Sequence, residues 1–184
     1  MSIDVKIREY SDNDWESIKI LILESKYYGP SVLKSEKIRI EFYSQVPEKG
    51  RTFVAVLPPE IVEKLSTEEE LYNNQDQVIA YMVVDFFGRA IFILSLVVAK
   101  EHQLRGVGKK LVQFAKKFGE ADPQYNILRG FADDSNLGIH TFLLKQGFKT
   151  CGYINHDLNL NHSTIHYVLH LRKEKDDSEA LISA

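Results

Sequence analysis

Apolar and polar residues follow one another along this chain with two periods, one typical of strands and one typical of helices. Val5 to Glu9 alternates apolar and charged residues, which predicts a half-buried strand. Behind Asp12, a predicted N-cap, the apolar residues between Trp15 and Leu23 recur at helical spacing. Two strongly apolar stretches, Val78–Phe86 and Ala90–Ala99, predict neighbouring strands, the second buried on both faces.

The same periods predict further elements. Helices are expected at about Ser35–Ser44, Lys109–Gly119 and Asn136–Gln146, and strands at Arg51–Leu57, Asn126–Ala132, about Lys149–Leu158 and Thr164–Leu171. An acidic stretch from Glu60 to Asp76 predicts an inserted surface helix and loop over about residues 58–77. Helices and strands mixed in this order predict an α/β layer structure, a central sheet with helices on both faces.

Composition and charge exclude several classes of protein. The 184 residues suffice for one domain with a sizeable core, and 44% hydrophobic with 27% charged residues is typical of a soluble globular protein. A formal net charge of −3 gives no general basic field for nucleic acid. No apolar run reaches the roughly 20 residues that span a bilayer, and the first four residues lack a secretory pattern. The single Cys151 excludes an internal disulfide. We therefore expect a cytoplasmic protein with no nucleic-acid partner, no membrane partner and no metal.

The segment from Leu94 to Leu111 carries the most chemical information. An apolar strand leads through Gln103-Leu104-Arg105-Gly106-Val107-Gly108 into a predicted helix. The first amides of a helix lack partners within it and its dipole favours negative charge there, so the junction predicts an anion site. The two glycines let a phosphate approach the backbone, and the neighbouring arginine and lysines add positive charge. We expect a ligand that contains phosphate.

Two familiar phosphate-binding loops do not fit this segment. The dinucleotide fingerprint requires a third glycine where this chain has Leu111. The mononucleotide P-loop requires a glycine at Gln103 and a hydroxyl residue at Lys110. A tight turn followed by lysines on a solvated helix face is the alternative interpretation, in which the loop binds nothing.

Two segments of the chain resemble the signatures of the GNAT acetyltransferases. Gln103, Gly106 and Gly108 match the first pattern, which is Gln or Arg, two residues, Gly, one residue, and Gly or Ala. Five residues match the second pattern: Asn136, Phe142, Lys145, Gly147 and Phe148. The likeness extends over residues 5–171, strongly from Val78 onward and by the order of elements before it.

The resemblance implies a fold and an activity. The fold is of the α/β (α+β) class, a single GNAT-like domain over residues 1–171 with a mixed, mostly antiparallel sheet of about six or seven strands and helices on both faces. Residues 172–184 are expected to be a flexible charged tail. The implied activity is transfer of the acetyl group of acetyl-CoA to a primary amine of a small molecule or peptide, by direct attack in a ternary complex. Dimers are common among GNAT proteins, which leaves a homodimer as a possible assembly.

The resemblance also assigns roles to individual residues. The backbone of Leu96, Val97 and Val98 is expected to pair with the pantetheine arm, with the N–H of Val98 stabilising the oxyanion. The loop residues expected to hold the pyrophosphate are Gln103, Leu104, Arg105, Gly106, Val107, Gly108 and Lys109. Asn136, Phe142 and Lys145 of the second signature are also assigned to the cofactor.

One departure from the family pattern affects the mechanism. The tyrosine that often protonates the departing CoA sulfur is Leu143 here. A thiol has a pKa near about 8.5, so its thiolate leaves without much help. Either Ser135, His140 or a water donates the proton, or the protein is a non-catalytic or weakly active acyl-CoA-binding regulatory module.

The base that deprotonates the amine has several candidates. An alkylammonium must lose a proton before it attacks, and a carboxylate, a histidine or a water chain can accept it. Asp85, at a strand end, is the first candidate, with Tyr81 on the same strand; a turn role for Asp85 is the alternative. His102 and His140 lie near the signatures, where a hydrogen-bonded scaffold role is the alternative.

Overall fold

The structure, a computed structural model, describes residues 3–25, 28, 30–59, 61, 76–159 and 162–172. Its helices and strands are β1 (Lys6–Glu9), α1 (Trp15–Glu24), α2 (Pro30–Gln45), β2 (Gly50–Leu57), β3 (Gln77–Phe87), β4 (Ala90–Val98), α3 (Val107–Ala121), β5 (Ile127–Asp133), α4 (Leu137–Lys145), β6 (Lys149–Asn159) and β7 (His162–His170). The predicted strands and helices are present, with ends that differ by a few residues. Most of the acidic insertion predicted at 58–77 and nearly all of the predicted tail lie outside the described residues.

The strands belong to one seven-stranded sheet with the order β1-β2-β3-β4-β5-β7-β6. β2 pairs antiparallel with both β1 and β3, and β7 pairs antiparallel with both β5 and β6. The mixed content of helices and strands and the mostly antiparallel sheet confirm the predicted fold class.

The chain divides into two compact units. The first unit comprises Met1–Phe87 and Phe92–Ala115, and thus contains β1 to β3, most of β4, α1, α2 and the beginning of α3. The second unit comprises Gly88–Ile91 and Lys116–Ala184, with β5 to β7 and α4. The single domain expected over residues 1–171 stays a prediction.

The core of the first unit is built on two strands that read as continuous apolar runs. Phe53 to Leu57 of β2 and Ile79 to Val84 of β3 are at most 1% exposed. Such runs are typical of strands that are covered on both faces. Phe53 packs edge-on against Phe114 of α3, with ring centroids 4.9 Å apart. In the second unit, large buried side chains include Leu128 and Tyr167.

The start of α1 differs from the prediction. Asp12 was expected as the N-cap, but it begins a 3-10 turn, Asp12–Asp14, and α1 starts at Trp15. Ser11 caps this turn, and the carboxylate of Asp14 accepts hydrogen bonds from the Ser11 N–H at 2.8 Å and the Ser11 hydroxyl at 3.1 Å. The predicted N-cap is therefore wrong, because a serine with an acidic residue three positions later satisfies the terminal amides better. Arg8 donates two hydrogen bonds to the same carboxylate, at 2.7 and 2.8 Å.

Replacement of Asp14 by asparagine is expected to lower the free energy of unfolding by about 2 kcal/mol at neutral pH, because a cap and a charge-assisted bond are lost. Burial alone would raise the pKa of Asp14, but the hydrogen bonds from Arg8 and Ser11 outweigh it and hold the pKa below its ordinary value. The stabilisation is therefore present above the pKa of the unfolded chain and is lost as the pH falls through the lower folded pKa. Urea denaturation from neutral pH to about pH 3 should show the gap between wild type and Asp14→Asn closing.

The neighbouring Asp12 provides the matched control for this measurement. Its side chain is exposed, so Asp12→Asn should change the unfolding free energy by less than about 0.5 kcal/mol. A loss for Asp14→Asn that stays constant down to the acid end would contradict the role given to its charge.

Candidate functional site

The candidate site begins where β4 ends. Beyond Val98, the N–H of Ala99 donates to Ile79 O on β3 at 2.8 Å, and a 3-10 turn at Lys100–His102 leads into the loop at 103–106. The side chain of Gln103 donates from Nε2 to Val98 O at 3.0 Å. Gln103 thus ties the loop to the end of the strand, and the predicted strand-loop-helix junction is present.

Two residues of this loop have a left-handed backbone. Gly106 has φ 86° and Leu104 has φ 60°. That conformation costs a non-glycine residue about 1 kcal/mol. The Leu104 side chain is fully exposed, so its own packing does not offset this cost. Strain of this kind is often kept where a loop is held ready to bind a ligand.

The backbone amides around the start of α3 lack helical partners. The N–H of Lys110 donates to Gly106 O at 3.0 Å. The six N–H groups that precede Lys110 in the loop and first turn donate no backbone hydrogen bond within the part of the chain that the structure describes. They are the N–H groups of Leu104, Arg105, Gly106, Val107, Gly108 and Lys109. Unpaired amides at a helix N-terminus are what a phosphate group binds.

The positive side chains beside the loop differ in their availability. Arg105 and Lys109 are exposed. Lys110 instead donates from Nζ to Ile3 O and to the Asp4 carboxylate, both at 3.0 Å. The N–H of Ile3 also donates to Arg105 O at 3.3 Å. Lys110 therefore joins the segment before β1 to the first turn of α3, a contact over more than a hundred positions that sequence reasoning missed.

The strand residues assigned to the pantetheine arm alternate in burial. Val97 is buried, while Leu96 and Val98 are half-buried. The carbonyl oxygen of Val98 accepts the hydrogen bond from the Gln103 side chain. The N–H of Val98 takes no part in that bond and stays the predicted oxyanion donor.

The second signature lies on α4, in the second unit. Asn136 is the N-cap of this helix, and its Oδ1 accepts from the Ile139 N–H at 3.2 Å. Phe142 is half-buried and Lys145 is exposed in the last turn. Gly147 ends the helix with φ 89°, as predicted. The cofactor roles assigned to Asn136, Phe142 and Lys145 stay predictions.

The two candidate proton donors, Ser135 and His140, already have hydrogen-bond partners. The hydroxyl of Ser135 donates to Asp133 Oδ1 at 2.5 Å. His140 is buried, with Nδ1 2.6 Å from the Tyr167 hydroxyl and Nε2 3.2 Å from Asp134 O. Ser135 is therefore part of a hydrogen-bonded turn, and His140 is a hydrogen-bonded histidine of the core. Leu143, at the position of the family's tyrosine, is 4% exposed.

Asp85, the first candidate base, has a partner that sequence reasoning missed. Tyr43 of α2 donates its hydroxyl to Asp85 Oδ1 at 2.8 Å. Burial first, and then this carboxylate, raise the pKa of Tyr43, which keeps the phenol protonated and donating. Asp85 lies opposite Gly50 in the register of β2 and β3. Tyr43 and Asp85 are 42 positions apart, so the sequence pattern around neither residue indicates this hydrogen bond.

His102, the remaining candidate histidine, lies beside the loop, and neither a metal site nor a membrane-spanning helix is found among the described residues. His102 is buried, and burial lowers its pKa. In the described ranges, no three side chains of the metal-binding types come together as a metal site requires. None of the described helices combines the length and apolar composition that a membrane crossing needs.

A cluster of buried polar atoms in the first unit was also missed. Glu36 of α2 and Ser95 of β4 are buried, and so is Tyr81 of β3, which was a candidate by position. A glutamate on a helix with many charged residues is expected to be exposed to solvent, so the sequence did not predict the burial of Glu36.

Comparison with known proteins agrees with this arrangement. A family model described as Acetyltransferase (GNAT) domain matches residues 67–150, which include both signatures. A search of the curated proteins finds no match.

Three solved structures illustrate the similarity of fold. A Desulfovibrio desulfuricans protein assigned to the GNAT family of acetyltransferases superposes with a TM-score of 0.73 at 12% identity, covering 92% of this chain and 100% of that one. The ribosomal-protein-S18-alanine N-acetyltransferase of Escherichia coli gives 0.68 at 13% identity, covering 95% and 98%. A Bacillus anthracis protein assigned as a streptothricin acetyltransferase, in complex with acetyl coenzyme A, gives 0.53 at 21% identity, covering 66% and 62%.

At these identities the superpositions show the fold, and the family model matches the sequence itself. Together they show that residues 67–150 are similar to the GNAT acetyltransferase domain and that the chain has the fold of the GNAT structures.

Proposed function

We propose that the protein is an N-acetyltransferase that moves the acetyl group of acetyl-CoA to a primary amine of a small molecule or peptide. The observation that carries the proposal is the run of unpaired amides from Leu104 to Lys109, at the junction of β4 and α3. Their N–H groups suit a pyrophosphate, and Arg105 and Lys109 are exposed beside them. The acetyl coenzyme A bound to the Bacillus anthracis protein supports the choice of cosubstrate.

The proposed reaction is a direct attack in a ternary complex. The free amine attacks the carbonyl carbon of the thioester, and the N–H of Val98 stabilises the oxyanion that forms. The carbon–sulfur bond breaks, the CoA thiolate leaves, and the nitrogen gives up its extra proton to a base, for which Asp85 is the candidate. Because Ser135 and His140 are engaged elsewhere, we propose that the thiolate leaves unassisted or takes a proton from water.

Two measurements test this function. Calorimetry with CoA should show binding, and release of free thiol should follow when acetyl-CoA is incubated with polyamines, aminoglycosides, amino acids and peptides. Absence of CoA binding would contradict the proposal as a whole.

The alternative function, a regulatory module that binds acyl-CoA, is favoured by Leu143. It predicts CoA binding without thiol release above background across the same panel. Brisk release by the unaltered protein would exclude it.

A further inference from the structure

The loop before α3 is hydrogen-bonded to residues that precede β1. The N–H of Ile3 donates to the carbonyl oxygen of Arg105 at 3.3 Å. The Ile3 carbonyl in turn accepts a hydrogen bond from Lys110 Nζ at 3.0 Å. We call these two bonds, from Ile3 to Arg105 and from Lys110 to Ile3, the N-terminal tether. The same Nζ lies 3.0 Å from Asp4 Oδ1, so a carboxylate also holds the lysine in place.

The tether and the first bond of α3 together orient both peptide units beside Gly106. In a planar trans peptide unit the C=O and the N–H point in opposite directions, and the described residues contain no cis peptide bond. Because the Arg105 carbonyl points to Ile3, the N–H of Gly106 points away from Ile3. The Gly106 carbonyl accepts from the Lys110 N–H at 3.0 Å, so the N–H of Val107 points out of the start of the helix. Both N–H groups belong to the six that donate no backbone hydrogen bond among the described residues.

The backbone of this loop requires support from outside the loop. Leu104 has φ 60° although it is not a glycine, and its fully exposed side chain offers no packing in return. Such a conformation persists only where the surrounding contacts over-determine it. Gln103 supplies one contact, since its side chain donates to Val98 O at 3.0 Å. The tether supplies another, on the opposite side of Leu104 in the sequence.

Lys110 differs from the other positive side chains beside the loop. Arg105 and Lys109 are exposed, whereas Lys110 is half-buried and its Nζ donates to two oxygens. An ammonium group has three donors, so two of the three are occupied, one of them by the Asp4 carboxylate that balances the charge. A phosphate that bound Lys110 directly would have to displace these oxygens. The geometry instead connects Lys110 to the loop amides through Ile3.

We infer that Lys110 is a positioning residue for the pyrophosphate of acetyl-CoA, which acts through the N-terminal tether on the N–H groups of Gly106 and Val107. The inference rests on the proposed function and adds a residue that prepares its binding loop. The alternative is that Lys110 leaves Asp4 and binds the phosphate itself. The two roles differ in the effect of removing the Ile3 N–H while Lys110 is kept.

The first test is made on the protein without CoA. Ile3→Pro removes the N–H that binds Arg105 O, because proline has no backbone N–H, and Ile3→Val keeps it as the matched control. Relaxation of the backbone amides measured by NMR gives the order parameter of the Gly106 N–H. We expect about 0.85 in the wild type and in Ile3→Val, and less than about 0.6 in Ile3→Pro and in Lys110→Met. An equally ordered Gly106 in all four proteins would overturn the inference.

The second test is a double-mutant cycle on CoA affinity. Calorimetry is done at about 0.5 M salt, where interactions between distant charges are screened. Ile3→Pro and Lys110→Met should each weaken CoA binding about fivefold, and the double variant should also bind about fivefold more weakly, because both changes break the same tether. If the two losses multiply instead, Lys110 acts on the phosphate by itself and the positioning role is wrong.

Lys109 provides the matched control for this cycle. It is an exposed lysine of the same helix turn and takes no part in the tether. The losses caused by Lys109→Met and by Ile3→Pro should therefore multiply in the double variant, as independent changes do. Thermal denaturation checks that every variant is folded at the temperature of the measurement. Multiplication for Lys109 and its absence for Lys110 is the result that supports the inference.

The outcomes distinguish the inference from the proposed function. A wild type that binds CoA, with wild-type affinity in Ile3→Pro, would overturn the tether and leave the acetyltransferase proposal standing. A wild type that binds no CoA would overturn the proposed function, and the positioning role with it.

Discussion

Replacement of Gly106 by alanine is expected to weaken acetyl-CoA binding at least about tenfold, which is about 1.4 kcal/mol. Gly106 has φ 86°, a backbone conformation that residues with a Cβ atom disfavour. To reach a negative φ, the peptide units on either side must rotate, and their N–H groups turn away from a common anion. Calorimetry with CoA measures the effect directly.

Gly88 supplies the matched control for this change. It has φ 58°, and a Cβ atom built there meets nothing within 4 Å. Gly88→Ala and Gly106→Ala should therefore each lower the unfolding free energy by about 1 kcal/mol. CoA affinity should fall in Gly106→Ala alone. Equal CoA affinity in the two variants would mean that the loop before α3 does not hold the pyrophosphate.

Local patterns were sufficient for the elements and for parts of the candidate site. The strand-loop-helix junction follows from an apolar run, two glycines and a helical stripe, all within a short stretch of chain. The end of α4 at Gly147 was predicted because glycine adopts a positive φ at low cost, and the structure has φ 89° there. Elements and turns of this kind depend on neighbours in sequence, which a single sequence displays.

Contacts between distant residues were not predictable in the same way. Lys110 was expected to face an anion, and in the structure it binds Ile3 and Asp4. Glu36 lies on a helix rich in charges, and nothing in its local pattern separates it from the exposed Glu41. The burial of a charged side chain depends on which element covers it, and that is decided by tertiary packing.

The same reasoning explains the error at Asp12. Both Asp12 and Asp14 are acidic residues near the start of α1, and either is an acceptable cap by residue type. In the structure Ser11 is the cap and Asp14 completes its capping box, while the Arg8 guanidinium binds the same carboxylate at 2.7 and 2.8 Å. That arginine comes from β1, so the local sequence of the helix start does not reveal the choice.

The largest loss of stability is expected from Gly50→Ala. A Cβ atom at Gly50 would lie 2.5 Å from Tyr43 Cε1 and 2.5 Å from the Val84 carbonyl oxygen. The carbonyl belongs to β3 and cannot move without breaking the pairing of β2 with β3. We expect a loss of about 3 kcal/mol and a melting temperature about 10 °C lower. Thermal denaturation followed by circular dichroism measures both.

Gly130 tests whether crowding, and not the loss of a strand glycine as such, causes this effect. It is also a buried strand glycine, but its Cβ would lie 3.9 Å from the Leu143 side chain, an ordinary contact. Gly130→Ala should thus be neutral or stabilise by up to about 1 kcal/mol, because alanine restricts the unfolded chain. Since a displaced Tyr43 would also release Asp85, Gly50→Ala should lose thiol-releasing activity below its melting temperature if Asp85 is the base. Equal stability of the two variants would show that both Tyr43 and the β2–β3 pairing at Val84 yield to the added methyl group, and would contradict the expected clash.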